Sequence, residues 1–168
     1  QFTLFDPAKG QRAELPAVEG NYIVVLKAGC NIPDVLGNFK YTEISLHGVD
    51  YRVLYTGIAS NLKRRIWTNH LHGNGGTSTF RKTLGSLFGY QKIARDNNYQ
   101  NNKKTKFGAE DENSLTGWME RNLLFAYLAN DKKDELESFL IDSLLPPLNV
   151  EGSKAATLKR VHELRCDK

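Results

Sequence analysis

At 168 residues the chain is sized for one domain with a core of its own, since folded domains cluster near roughly 100–150 residues. It is 40% hydrophobic and 25% charged, as soluble globular proteins are, and no apolar run nears the roughly 20 residues that cross a bilayer, which excludes a spanning helix and gives no membrane partner. The net charge of +4, from 23 basic and 19 acidic residues, permits a polyanionic partner without requiring one.

Cys30 and Cys166 stand far apart with no CxxC spacing, which argues against a thiolate zinc site and for two reduced thiols. Gln1 to Gly10 lacks a basic region followed by an apolar stretch, so no signal peptide is expected. The expected location is the cytoplasm.

In chain order, residues 1–19 carry Pro7, Gly10 and Pro16 without periodicity and are expected as an arm or cap. Tyr22 to Leu26 is a continuous β-branched and apolar run, suited to a strand buried on both faces. Ala28 to Gly37 is a loop by its Gly, Asn and Pro content. A strand is predicted over Phe39 to Leu46, with a bulge or bend where its apolar phase switches between Tyr41 and Ile44. The turn His47-Gly48-Val49-Asp50 leads to a strand over Tyr51 to Thr56, whose period-two spacing puts Tyr51, Val53 and Tyr55 on one face.

Ser60 is the predicted N-cap of a helix running to about Leu71, with Leu62, Ile66, Trp67 and His70 inward. After a break at Gly73 to Ser78, a short helix carries Phe80, Leu84 and Leu87. Asn97 to Glu112 is polar and is expected as a mobile loop. A helical turn near Trp118, a strand over Leu123 to Leu128 and a helix from Asp131 to Leu145 follow, the last stopped by Pro146-Pro147. Leu148 to Val150 is extended, and a final helix covers about Ser153 to Arg165. The fold class is α/β (α+β): a small, mainly antiparallel sheet flanked by helices. One domain spans 1–168, with an arm at 1–19, a core at 20–150 and a C-terminal helix at 151–168.

One carboxylate stands out. On the helix from Asp131, the residues Leu136, Phe139, Leu140 and Leu144 define the apolar face, with Glu135, Ser138 and Asp142 opposite. Glu137 falls about 60° from Leu140 and shares its row with Ile141 and Leu144. A carboxylate beside a core needs a hydrogen bond, a cation or a metal to compensate it. Two readings stand: a marginal Glu that snorkels outward or pairs with Lys or Arg, and a metal-binding or acid/base group.

Three segments resemble the GIY-YIG nuclease superfamily. Gly20-Asn21-Tyr22 stands where its first signature would begin the first strand. Tyr55-Thr56-Gly57 ends the third strand as its second signature would, followed by Ile58-Ala59-Ser60-Asn61-Leu62-Lys63-Arg64-Arg65 with the family's arginine. Glu137, Pro146-Pro147 and Asn149 then reproduce its spacing of metal-binding glutamate and structural asparagine. Two departures stand out. The Tyr22-to-Tyr55 interval is longer than usual, leaving room for an extra strand and loop, and Asn69 occupies the position where the family often has His or Tyr. His70, one residue later, sits about 140° from Arg65 on a regular helix, so only a helix irregularity or an early helix end brings it, or His72, to the site.

The resemblance implies a metal-dependent DNA endonuclease hydrolysing phosphodiesters, of a restriction-like or stand-alone kind; the alternative is a catalytically weak or inactive DNA-binding module on the same fold. It implies Glu137 as the single protein ligand of one divalent cation, Mg²⁺ or Mn²⁺, and Arg65 as the clamp on the scissile phosphate. Tyr22 is the first choice for general base and Tyr55 its assistant, with nearby positive charge lowering the phenol pKa. His70 is a further catalytic candidate, and Asn149 and Gly57 are expected to shape the backbone around the site. Lys63, Arg64, Arg81 and Lys82, with Lys103, Lys104 and Lys106, are candidate phosphate contacts. DNA is the expected partner, and a homo-oligomer is compatible with the sequence.

Overall fold

In the computed structural model, which describes residues 1–33 and 40–149, a single antiparallel sheet organises the chain. Its centre is β2 (Gly20–Leu26), buried along its whole length as its unbroken apolar run requires. β7 (Leu123–Ala129) pairs with one side of β2 and β4 (Val49–Ala59) with the other. β3 (Glu43–Leu46) lies outside β4, and β1 (Thr3–Phe5) lies outside β7, for an order β1-β7-β2-β4-β3. The expected α+β class with an antiparallel sheet is the observed one. The N-terminal stretch expected as an arm or cap supplies the edge strand β1, and it buries Phe5 and Leu15.

Alternation along β2 divides the core in two. Tyr22, Val24 and Leu26 join Leu62, Ile66, Phe80 and Phe125 on one face, while Ile23 and Val25 meet Val53, Leu140 and Leu144 on the other. α1 (Thr79–Leu87) and α3 (Ala109–Asn122) pack on the first face through Leu84, Leu115 and Met119, and α4 (Lys133–Leu144) covers the second.

The β2–β4 ladder holds a bulge. Val24 faces Tyr55 and Val25 faces Val53, so Leu54 is the extra residue. A strand's side chains alternate strictly, so one inserted residue reverses every position beyond it. Tyr51 and Val53 therefore pack on the α4 side while Leu54 and Tyr55 both face the other core. The expected common face of Tyr51, Val53 and Tyr55 is corrected by this insertion. Of the bulge or bend placed by sequence between Tyr41 and Ile44, no bulge enters the β3–β4 ladder, because β3 starts only at Glu43 and pairs with β4 without a break.

Other boundaries moved for identifiable reasons. The polar segment expected as a mobile loop is ordered: β5 (Lys92–Ala94) and β6 (Thr105–Phe107) form a hairpin closed by α2 (Tyr99–Asn102), and α3 already begins at Ala109. What holds it is tertiary, since Phe107 and Glu112 are buried in the neighbouring core. The turn near Trp118 is the middle of α3. On α4, Phe139 is 64% exposed rather than inward; Leu136, Leu140 and Leu144 alone carry the packing. The predicted helix from Ser153 to Arg165 and Val150 lie outside the described residues, as does Phe39.

Candidate active site

After β4 the chain turns into a helix whose start is capped by Asn61, not Ser60: the Asn61 carboxamide oxygen accepts the Arg64 backbone N–H at 2.9 Å. From Arg64 to Leu71 this helix is π-type, with the His72 N–H reaching Trp67 five residues back at 3.0 Å. In such a helix the i→i+5 hydrogen bonds widen the turn, so residues five apart come closer to one side than in a regular helix. That irregularity carries His70 round to the side of Arg65, which a regular helix would forbid.

Both side chains converge on the Tyr22 hydroxyl. The Arg65 Nε–H donates to it at 3.3 Å, and His70 Nε2 lies 2.8 Å from it. On the far side of the imidazole, Nδ1 lies 2.6 Å from the Ser78 Oγ, which also accepts the Arg81 backbone N–H at 3.0 Å as the cap of α1. The Tyr55 ring sits 6.2 Å from that of Tyr22. Gly57 lies opposite Tyr22 in the ladder, and a Cβ there would stand 2.5 Å from the Tyr22 hydroxyl oxygen. Gly57 is thus the residue that lets the phenol lie across its neighbour strand. Gly57→Ala should displace the Tyr22 hydroxyl and cost about 1–3 kcal/mol of stability. Urea denaturation checks the cost, and loss of the Arg65 and His70 bonds to Tyr22 in a structure of the variant checks the cause.

Beyond Arg52 the outer edge of β4 has no strand partner among the described residues except Val53, which pairs with Thr42. Asn149 fills the gap. Its Oδ1 accepts the Thr56 N–H and its Nδ2 donates to the Thr56 carbonyl, both at 2.9 Å. Its side chain acts there as one residue of a missing strand. At this edge opens a pocket of about 430 Å³ lined by Tyr22, Tyr55, Gly57, Arg65, Glu137 and Asn149, with Ile58, Thr79, Ser138 and Ile141. Arg65 comes from the helix on one face of the sheet and Glu137 from α4 on the other, and they share the pocket because it sits at an edge.

Electrostatics follow from depth. Burial, reinforced by Tyr55 and opposed by Arg65, pushes the Tyr22 phenol well above its usual 10.0. Desolvation of a wholly buried phenolate outweighs the one guanidinium of Arg65. Burial, then Arg65 and Arg81, holds the His70 imidazole well below 6.5, so it is neutral at neutral pH. Burial and the nearby Asp134 raise the Glu137 carboxyl.

The two buried rings set a stability window. Below pH 6.5 unfolded His70 takes up a proton that folded His70 refuses, so stability falls as pH drops. Above pH 10 an unfolded Tyr22 ionises while the folded one does not, so stability falls as pH rises. Chemical denaturation across pH should give a plateau between these limits, and His70→Gln should flatten the acid limb.

Not every candidate reaches the pocket. Arg64 is exposed and lines an adjoining recess of about 250 Å³ with Arg65, Asn61 and Asn69. Lys63 is half-buried beside Arg12, and Lys82 is half-buried on α1. Arg81 is corrected outright. It is 0% exposed, and its guanidinium pairs with Glu112 at 2.6 Å and donates to the carbonyls of His70 (3.0 Å) and Leu71 (2.8 Å). No phosphate can reach it. Ser78 and Thr56 were missed, because a helix cap and a strand residue carry no sequence mark of the distant side chain they meet.

A guanidinium presented in an open pocket can receive an anion, and a carboxylate in the same pocket can receive a cation. Residues 20–167 match the GIY-YIG catalytic domain family, and the chain belongs to it. Nuclease-type activity is the functional class this membership brings. No curated protein and no solved structure matches the chain significantly. No helix among the described residues is long and apolar enough to cross a membrane.

Proposed function

We propose that the chain is a divalent-metal-dependent DNA endonuclease that hydrolyses phosphodiester bonds at the Tyr22–Arg65–Glu137 pocket. The observation that carries this reading is the Tyr22 hydroxyl held between the Arg65 Nε–H and His70 Nε2 at a pocket shared with Glu137. Among the described residues no hydrogen bond or ion pair satisfies Glu137, and no cluster of three His, Cys, Asp or Glu side chains stands near it or elsewhere. That donor set fits a hard cation such as Mg²⁺ or Mn²⁺, which accepts one carboxylate and keeps waters. When bound, the cation supplies Lewis-acid stabilisation of charge on the phosphoryl and leaving oxygens.

The remaining chemistry belongs to side chains. Arg65 holds a non-bridging phosphate oxygen with its terminal N–H groups while Nε stays on Tyr22. Tyr22, kept protonated by burial, acts as a relay rather than as a preformed phenolate. It takes a proton from the attacking water as its own proton passes to neutral His70 Nε2. The hydroxide so formed attacks phosphorus, one P–O bond breaks, and the leaving oxygen is protonated from solvent. A cationic His70 is unfavourable between Arg65 and Arg81, and a bound phosphate offsets that cost, so the relay is coupled to substrate. Asn149 keeps the pocket edge in place by holding Thr56.

A second reading, a DNA-binding module that cleaves weakly or not at all, is favoured by the depth of Tyr22. Nicking of supercoiled plasmid with Mg²⁺ or Mn²⁺ separates the two. Tyr22→Phe and His70→Ala should each slow nicking by about 10²–10⁴, the range of general acid–base catalysis. Wild-type protein that binds plasmid without nicking it selects the second reading, and full activity of both variants rejects the relay.

A further inference from the structure

From Lys92 to Lys106 the chain carries Lys92, Arg95, Lys103, Lys104 and Lys106 against the single acid Asp96, a net +4. The whole chain is also +4, so everything outside this hairpin sums to zero. Within the hairpin, residues 97–102 are all amides except Tyr99. We propose, resting on the DNA reading above, that the β5–β6 ribbon enters the major groove of duplex DNA, with Lys103 and Lys104 on phosphates and Asn97 and Gln100 at base edges.

The tip is built from its own polar groups. Asp96 accepts the Asn98 backbone N–H at 3.0 Å and binds Arg95 at 2.7 Å. Asn101 Nδ2 donates to Asn98 Oδ1 at 2.6 Å, and Asn102 Oδ1 accepts the Lys104 N–H at 2.8 Å. Lys103 closes the turn in the left-handed region with φ 52°. Asn98, Asn101 and Asn102 are therefore occupied in shaping the turn. Asn97, Gln100, Lys103 and Lys104 are exposed; Lys103 Nζ donates to Gln100 Oε1 at 3.5 Å and lies over the Tyr99 ring, a long surface contact that a phosphate and a base edge can replace. A two-stranded ribbon fits the major groove, where carboxamides pair bidentately with adenine and lysines reach guanine or phosphate. An ordered tip also limits the entropy lost on binding.

The ribbon is tied to the catalytic helix through one buried carboxylate. Glu112 Oε1 accepts the Phe107 N–H of β6 at 3.0 Å and the Gly75 N–H at 2.8 Å, while Oε2 holds Arg81. The Gly75 loop runs into Ser78, which touches His70, and Thr79, which lines the pocket. A groove contact at the ribbon thus fixes which phosphate is offered to Arg65.

The test is selection of a random-sequence duplex library by the full chain without divalent metal, beside an Asn97→Ala/Gln100→Ala variant and a Lys103→Gln/Lys104→Gln variant. All four side chains are exposed, and circular dichroism and melting check that each variant folds. Wild type should enrich a defined motif. The amide variant should lose roughly 5- to 150-fold of preference at each base pair it no longer reads, at little cost in non-specific affinity. The lysine variant should keep the motif and lower the slope of log K against log salt by about 1.8, at about 0.9 per phosphate. An unchanged motif in the amide variant, or an unchanged slope in the lysine variant, overturns the proposal, as does failure of the wild type to bind duplex. Because the readout is binding, a protein that selects its motif but never nicks plasmid upholds the ribbon and sinks the endonuclease reading. One that nicks at sites indifferent to Asn97 and Gln100 does the reverse.

Discussion

Glu137→Ala is expected to reduce metal-dependent nicking on the order of a thousandfold or more while leaving the fold intact. The proposed Lewis-acid role supplies several kcal/mol of transition-state stabilisation, and each 1.4 kcal/mol is a factor of ten in rate. The fold should tolerate the change because Glu137 contributes no hydrogen bond or ion pair among the described residues, and its carboxylate lies half-buried on α4 near Asp134. Removing a charge kept there for function relieves a local cost, so the melting temperature should stay level or rise. Glu137→Gln should be as inactive as Glu137→Ala, since an amide preserves shape but not charge. Single-turnover nicking across a metal titration, with calorimetry in parallel, decides the matter. Activity in the alanine variant within tenfold of wild type at saturating metal would remove Glu137 from the site.

The second large effect is on stability. Glu112→Ala should cost about 3–5 kcal/mol, the usual consequence of leaving one member of a buried ion pair without its partner. Arg81 is wholly buried against Glu112, and the same carboxylate also satisfies the N–H groups of Gly75 and Phe107. A loss of that size is a large share of the 5–15 kcal/mol by which a domain of this kind holds together. Arg81→Met/Glu112→Leu should recover part of it, because an apolar pair carries no desolvation penalty. Recovery should be incomplete, since the N–H groups of Gly75 and Phe107 lose their acceptor and the carbonyls of His70, Leu71 and Glu112 each lose an Arg81 donor. Urea midpoints at constant slope measure both effects. A loss below about 1 kcal/mol in Glu112→Ala would mean that water reaches Arg81 and that the pair is not a clamp.

Much of the architecture was legible because it rests on local pattern. The run from Tyr22 to Leu26 is apolar without interruption, and a strand of that kind must be covered on both faces; it is the centre of the sheet. Pro146-Pro147 ended α4 where they stand, with only Leu145 leaving the helix before them. The odd position of Glu137 was visible from its angle to Leu140 alone, and it does line the pocket that also contains Arg65. Arg81 was misjudged because a sequence shows charge but not depth. Its guanidinium is buried only because α3 brings Glu112 to it.

What the sequence determined by itself was therefore part of the material: the central strands, several helices, a carboxylate beside a core, and a chain whose excess charge lies in one short stretch. Only the tertiary structure decided how these meet. The extra residue Leu54 turned Tyr55 toward Tyr22, because alternation cannot survive an insertion. A π-type turn put His70 rather than Asn69 against Tyr22, because five-residue hydrogen bonding changes which side chains lie over one another. Burial then raised the proton affinity of Tyr22 against the pull of Arg65, and lowered that of His70 together with Arg65 and Arg81. Each of these depends on what stands across the fold from a residue, and no local pattern contains that information.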